Sequence, residues 1–518
     1  MSIQNENAAS FFVDRHLSEE TADKVAFVEA AGLGRPLTYR SLAEAAGTMA
    51  DLYERHGINR EDRAVMIVLD QIEFPIIFWG SLKAGIVPVP VSTLLTTGLY
   101  AAILRDSRAR VAFVSSQLLD VVKPALAETP FLKAVFVIGD AGEGDDRLSF
   151  WEEQRRSVVR PAVEVSADEC AFWLYSSGST GEPKGVRHVH SSLKATSDTY
   201  GQQVLGLRRG DVILSAAKLF FAYGLGNAMT FPMAVGATSV LFQGRPTPAD
   251  LFEVARRNSP TIFYAVPTLY AAMLHATEGK KPEGFERLRL CVSAGEALPE
   301  DIGERWLALT GVDILDGVGS TELLHIFLSN TPGDVVYGTS GRAVPGYELR
   351  LVNENGVEVQ PGELGELLVK APSAADGYWN KREKSRSTFE GHWTRTGDKY
   401  ERREDGRLVY RGRTDDMFKV SGIWTSPFEV EQALISHPDV LEAAVVAQND
   451  EDGLQKPKAF VVLKTKPPAS GLEGELKEHV KSKIGKWKYP RWIEFVDDLP
   501  KTATGKIQRF RLRRAEAG

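Results

Sequence analysis

The chain has 518 residues, 43% hydrophobic and 25% charged, with a formal net charge of −7. That length predicts two or more domains of ordinary globular composition, and the acidic balance argues against a nucleic-acid binder. No apolar run is long enough to cross a bilayer, and the polar residues 1–7 lack the basic and apolar regions of a signal peptide; a soluble, cytoplasmic protein is expected.

Up to about residue 340, helical patterns such as 42–56 alternate with apolar strands at 64–69, 111–114, 212–214, 238–242 and 261–264. This alternation predicts largely parallel sheets covered by helices, an α/β fold. The only two cysteines, Cys170 and Cys291, lie in apolar strand-like contexts and are expected to be buried, inert thiols. From about 340 to 412 the pattern changes to short strands with frequent Gly and Pro turns, a small β-rich subdomain. Beyond it come helix 427–436, strands 442–447 and 458–463, and helix 473–484, a compact α+β unit. The expected organisation is a large N-terminal domain over 1–414 and a small mobile C-terminal domain over 415–518, with the active site between them. From Leu454 onward, 16 Lys/Arg face 7 Asp/Glu. Such a tail suits an anionic ligand, an acidic neighbouring surface, or simply solvent.

One stretch dominates the chemistry. Directly after the strand 171–174 comes Tyr175-Ser176-Ser177-Gly178-Ser179-Thr180-Gly181-Glu182-Pro183-Lys184-Gly185. Glycines let backbone N–H groups approach an anion, while the hydroxyls and the Lys184 ammonium add donors and charge, so this is a phosphate-holding loop. The common nucleotide loop GxxxxGK[ST] is ruled out, because Pro183 and Gly185 stand where Gly and Ser/Thr are required.

The same run resembles the signature loop of the adenylate-forming superfamily, which comprises acyl- and aryl-CoA ligases, peptide-synthetase adenylation domains and luciferases. Further segments fit that family in order. Ser293-Ala294-Gly295-Glu296 ends a strand and corresponds to the adenine shelf, although an ordinary strand–turn–helix junction reads the same. In Asp316-Gly317-Val318-Gly319-Ser320-Thr321-Glu322, Thr321 offers a hydroxyl to the α-phosphate and Glu322 an oxygen ligand to Mg²⁺. Asp316 is taken to stand where the family carries an aromatic residue. Asp398, in Thr396-Gly397-Asp398, is the expected ribose ligand, because a carboxylate accepts from two hydroxyls at once. Arg413 would add a donor to ribose or phosphate. Asp415 matches the family hinge. Lys419, Ser421 and Gly422 would line a pantetheine tunnel, with a plain surface lysine as the other reading of Lys419. Lys506, in Thr504-Gly505-Lys506, matches the lysine that bridges the substrate carboxylate and the α-phosphate.

The acid is read from Phe220, Ala222, Tyr223, Gly319, His325 and Ile326, which predict aromatic and aliphatic walls suited to a flat apolar acid. His325 either closes this pocket or is an ordinary core histidine. These segments resemble those of benzoate-CoA ligases. The resemblance implies benzoyl-CoA formation from benzoate, ATP and CoA through benzoyl-AMP, with Mg²⁺, in a monomer or homodimer without nucleic acid or membrane partners. A 4-hydroxybenzoate-CoA ligase or a broad aryl-CoA ligase is the alternative, and a non-catalytic acyl-binding protein is disfavoured because Lys184, Glu322, Asp398 and Lys506 are all intact.

Overall fold

The computed structural model describes residues 6–18, 20–30, 32, 36–140, 142, 147–177, 183–420, 423–451, 454–465, 467–501 and 507–515. The protein is a mixed α/β molecule with a large N-terminal and a small C-terminal domain. No helix among the described residues is long and apolar enough to cross a membrane.

Two sheets carry the parallel topology that the alternation predicts. One is entirely parallel, in the order Val87–Pro90, Arg63–Ile67, Val111–Ser115, Ala134–Ile138, Leu148–Ser149. The other has nine strands. Its parallel centre runs Ile314–Gly319, Leu290–Ala294, Ile262–Ala265, Val212–Ser215, Thr238–Leu241 and Val25–Glu29, and antiparallel strands flank both sides. Strands buried on both faces read as continuous apolar runs, and Ala64 to Ile67 are indeed fully buried. The first long helix, Tyr39–Arg55, starts three residues before the apolar period suggests. Thr38 and Ser41 close a reciprocal capping box that extends it.

The expected β-rich region is a five-stranded antiparallel sheet built from Glu348–Val352, Leu364–Lys370, Phe389–Glu390, Trp393–Arg402 and Leu408–Arg413. In the C-terminal domain, Val440–Asn449 pairs antiparallel with Gln455–Leu463, and Trp492–Phe495 adds a parallel third strand. Helices Pro427–Ile435 and Leu472–Ile484 contribute to its core. Tyr410 and Phe428 meet edge to face at 5.0 Å where that unit abuts the antiparallel sheet.

One cysteine expectation needs correction. Cys291 is buried and accepts from the Trp306 indole, but Cys170 is exposed, because it is the first residue of its strand, where the sheet opens to solvent.

Candidate active site

The phosphate loop joins two antiparallel strands, Cys170–Ser177 and Pro183–Val189, with Ser176 opposite Lys184 and Ser177 opposite Pro183. Gly178, Ser179, Thr180 and Gly181 lie outside the described residues, as does the Ser177 side chain. The buried Ser176 hydroxyl has no hydrogen-bond partner among the described residues, which suits an oxygen-rich ligand arriving there. Lys184 belongs to the strand rather than to the loop, so the hairpin fixes its backbone. Its ammonium stands 4.9 Å from the centre of the Tyr378 ring. Burial lowers its pKa, and the neighbouring Glu322 carboxylate opposes that shift.

Thr321–Leu323 forms one tight 3₁₀ turn, whose first residues are capped by the Ser320 hydroxyl at 3.3 Å from Leu323 N. Glu322 Oε1 accepts from the Tyr378 hydroxyl at 2.9 Å. A carboxylate oriented in this way is a hard oxygen donor of the kind Mg²⁺ requires, so the donor set fits the expected ion. Tyr378 is the residue that sequence reasoning missed here. Its segment, Gly377-Tyr378-Trp379-Asn380, carries no phosphate or metal signature, and its role depends on a strand pairing with Val186 and Arg187.

On the nucleoside side, Ala294 is buried at the end of its strand, Gly295 adopts φ 101°, and Glu296 is half-buried. The left-handed φ lets the chain leave the sheet at a residue without a Cβ. Asp316 departs from its expected place. It is 5% exposed inside the sheet, opposite Ser293, and its buried Oδ1 has no hydrogen-bond partner among the described residues. Counting back from Glu322 puts Val318 at the aromatic position, and Val318 is only half-buried. Burial drives the Asp316 pKa well up, against backbone donation from Leu298 and Gly317. Gly317 and Gly319 are needed for space: a Cβ at Gly317 would meet Ile326 Cδ1 at 2.8 Å, and one at Gly319 would meet the His325 carbonyl at 2.6 Å.

Asp398 and Arg413 face each other across their sheet, and Arg413 Nη1 donates to Asp398 Oδ1 at 3.0 Å and to the Thr396 carbonyl at 2.9 Å. Burial works against the Arg413 charge, but Asp398, Tyr410 and Asp415 outweigh it and raise its pKa. The pair is therefore pre-oriented by a turn in which Gly397 has φ 73°. Asp415 is exposed in the turn that follows Arg413.

The residues expected to wall the acid pocket include His325, which lies at the centre of an aromatic cluster. Leu324 has φ 66° and ψ −36°, and His325 N donates to Leu323 O at 2.8 Å, a strained γ-turn that throws the imidazole inward. The ring packs against Phe231 at 4.5 Å, Tyr200 at 5.5 Å and Tyr223 at 5.7 Å. Its Nε2 lies 3.2 Å from both Tyr223 O and Asn227 Oδ1, while Nδ1 is buried without a partner. Since Tyr223 O only accepts, Nε2 carries the proton. Burial pushes the pKa down to about 3, so the ring is neutral at physiological pH. His325 is thus a buried, packed ring of the core. The Tyr223 hydroxyl is already engaged with Val292 O at 3.2 Å and Ala265 O at 3.4 Å. Tyr223 and Ile326 share one core with Tyr264, whereas Phe220 and Ala222 pack with the core of the first sheet, so the expected pocket residues come from two cores. Asn227 lies on a wide π-helical turn, Gly226–Thr230, inserted between helices Ala222–Leu225 and Phe231–Val235. Neither Asn227 nor that turn is legible in the sequence.

Lys506, Ser421 and Gly422 lie outside the described residues, as does the Lys419 side chain.

Residues 14–379 match the family described as AMP-binding enzyme, and residues 429–506 match the AMP-binding enzyme C-terminal domain. The 4-hydroxybenzoate–CoA/benzoate–CoA ligase of Rhodopseudomonas palustris is 51% identical over 520 residues, spanning 100% of this chain and 96% of that protein. The benzoate–CoA ligase of Thauera aromatica is 54% identical, spanning 98% and 96%. A solved benzoate CoA ligase from Burkholderia xenovorans superposes with a TM-score of 0.90 at 47% identity, covering 98% of this chain and 100% of that one.

Proposed function

Because this chain belongs to the AMP-binding enzyme family, within the adenylate-forming superfamily, we propose that it is a benzoate–CoA ligase. It converts benzoate, ATP and CoA to benzoyl-CoA, AMP and pyrophosphate. The observation that supports the reading is the cluster of aromatic rings around a neutral His325, three residues along the chain from Glu322, whose carboxylate meets Tyr378.

In the first half-reaction a benzoate oxygen attacks the α-phosphorus and the bond to pyrophosphate breaks. Lys184 and the Ser176 hydroxyl hold the β- and γ-phosphates with Ser177, Ser179, Thr180 and the glycine amides of the loop. Thr321 and Lys506 meet the charge that develops at the α-phosphate. Glu322 would hold a Mg²⁺ ion, which would supply charge neutralisation at the phosphates. Asp398 and Arg413 hold the ribose, and the shelf of Ala294, Gly295 and Glu296 seats the base. In the second half-reaction the CoA sulfur attacks the benzoyl carbonyl and AMP leaves as the displaced phosphate. The small domain, 415–518, turns about Asp415 between the two steps, withdrawing Lys506 and presenting Lys419, Ser421 and Gly422 to the pantetheine arm.

A second reading, acceptance of 4-hydroxybenzoate, is favoured by the His325 Nδ1 and the Tyr264 hydroxyl, both buried without a partner among the described residues and able to accept from a phenol. CoA-dependent AMP release across benzoate, 4-hydroxybenzoate, 2-aminobenzoate, phenylacetate and hexanoate tests both. Highest kcat/KM with benzoate supports the first reading, a preference for the phenol supports the second, and a preference for hexanoate overturns both.

A further inference from the structure

His188 lies two residues beyond Val186 on the strand that follows the phosphate loop, and it is fully buried. Its ring stacks on Phe172 of the partner strand, with centroids 5.0 Å apart and planes 17° apart. Its Nε2 lies 2.9 Å from the carbonyl oxygen of Thr321, and its Nδ1 is buried without a partner. A carbonyl only accepts, so the proton sits on Nε2 and the imidazole is the donor.

The three consecutive carbonyls of the Thr321–Leu323 turn accept from two other segments of the chain. Thr321 O accepts from His188, Glu322 O accepts from Ala375 N at 2.8 Å, and Leu323 O accepts from the Ser373 hydroxyl at 2.8 Å. Two of these anchors come from the chain just before Tyr378. Only the His188 bond, among those described, runs from the phosphate-loop hairpin. Loop and turn hold opposite ends of the triphosphate in the reading above, and their separation must be fixed for an in-line displacement.

We propose that His188 is a positioning residue for adenylation, a hydrogen-bonded strut that sets the distance between the phosphate-loop hairpin and the Thr321–Glu322 turn. It rests on the ligase reading for its chemistry but only on nucleotide binding for its geometry. A strut of this kind acts on the polyphosphate. The thioester step, after pyrophosphate has left, does not need it.

The test compares His188→Phe, which keeps the ring stack and loses the donor, with His188→Gln, which restores a donor near the same place. Phe172→Leu removes the stack and leaves the donor. MgATP affinity is measured by calorimetry, and the two half-reactions are measured as benzoate-dependent ATP–pyrophosphate exchange and as CoA capture of supplied benzoyl-AMP. His188→Phe should weaken MgATP binding about tenfold and slow the exchange by at least as much, while capture stays within about twofold. His188→Gln should recover MgATP affinity to within about threefold, and Phe172→Leu should lower thermal stability while keeping that affinity. Equal loss of both half-reactions in His188→Phe, unchanged MgATP affinity, or no recovery in His188→Gln overturns the proposal. If His188→Phe does not fold, loss of MgATP affinity in His188→Gln does so alone. Wild-type protein that binds MgATP without exchange defeats the ligase reading and leaves the strut to the calorimetry. Wild-type protein that does not bind MgATP defeats both.

Discussion

Gly226→Ala should damage the aryl site while sparing the nucleotide site. A Cβ at this position would fall 2.3 Å from His325 Cδ2, 2.6 Å from His325 Nε2 and 3.1 Å from Phe231 Cζ. Carbon atoms in contact sit about 3.5–4.0 Å apart, so the imidazole must move by about 1 Å or more. Nε2 already lies 3.2 Å from both Tyr223 O and Asn227 Oδ1, and that movement breaks both contacts. At about 1 kcal/mol for each bond, His325 loses about 2 kcal/mol of positioning, about 30-fold in a rate ratio. Replacing a helical glycine returns up to about 1 kcal/mol of global stability, but that gain does not act on where the ring sits. The assay is steady-state AMP release with benzoate varied at saturating MgATP and CoA, repeated with MgATP varied. The expected result is a fall of about 30-fold in kcat/KM for benzoate with KM for MgATP within about twofold. A kcat/KM for benzoate within about threefold of wild type would show that His325 does not wall the acid site.

Tyr378→Phe removes the hydroxyl that orients Glu322 Oε1. A hydrogen bond to a charged group contributes about 1.5–3 kcal/mol, so exchange should slow about 10- to 100-fold and need more Mg²⁺; an unchanged Mg²⁺ titration contradicts the assignment of Glu322. Lys506→Ala should abolish benzoyl-AMP formation yet capture supplied benzoyl-AMP with CoA, whereas Asp415→Pro should break the overall reaction by fixing φ at the hinge; equal loss of both half-reactions in Lys506→Ala contradicts domain alternation. Asp70 is buried, accepts from Leu219 N at 3.2 Å, and has its pKa raised by burial from the ordinary 3.8 to about 6. A carboxyl whose folded pKa is raised adds stability below its unfolded pKa and loses it as pH climbs through the folded one. The difference is about 3 kcal/mol at most, lost between about pH 4 and 6. Asp70→Asn should therefore gain urea resistance relative to wild type at pH 8 and little at pH 4; the opposite order contradicts the burial argument.

Much of the fold was legible because its signals are local. Val111–Ser115 and Ile262–Ala265 are read as apolar runs, and the switch to Gly-punctuated strands near residue 340 marks the antiparallel sheet. The phosphate loop is read from consecutive residues, of which 178–182 lie outside the described residues. What escaped depends on long-range pairing. Cys170 looks buried in an apolar run but opens the strand, and Asp316 looks like a ligand-facing residue until the sheet encloses it. Tyr378 and His188 lie in no motif, and the register of Pro183–Val189 brings them to the Glu322 turn. The φ of Leu324, which aims His325, has no sequence signal at all, since leucine is not a residue that favours it.

The central claim is that a carboxylate attacks the α-phosphate before CoA takes part. Isotope exchange between labelled pyrophosphate and ATP measures this directly. The account predicts exchange that requires benzoate, saturates with it and proceeds without CoA. Release of ADP rather than AMP, at a rate indifferent to benzoate, would contradict it.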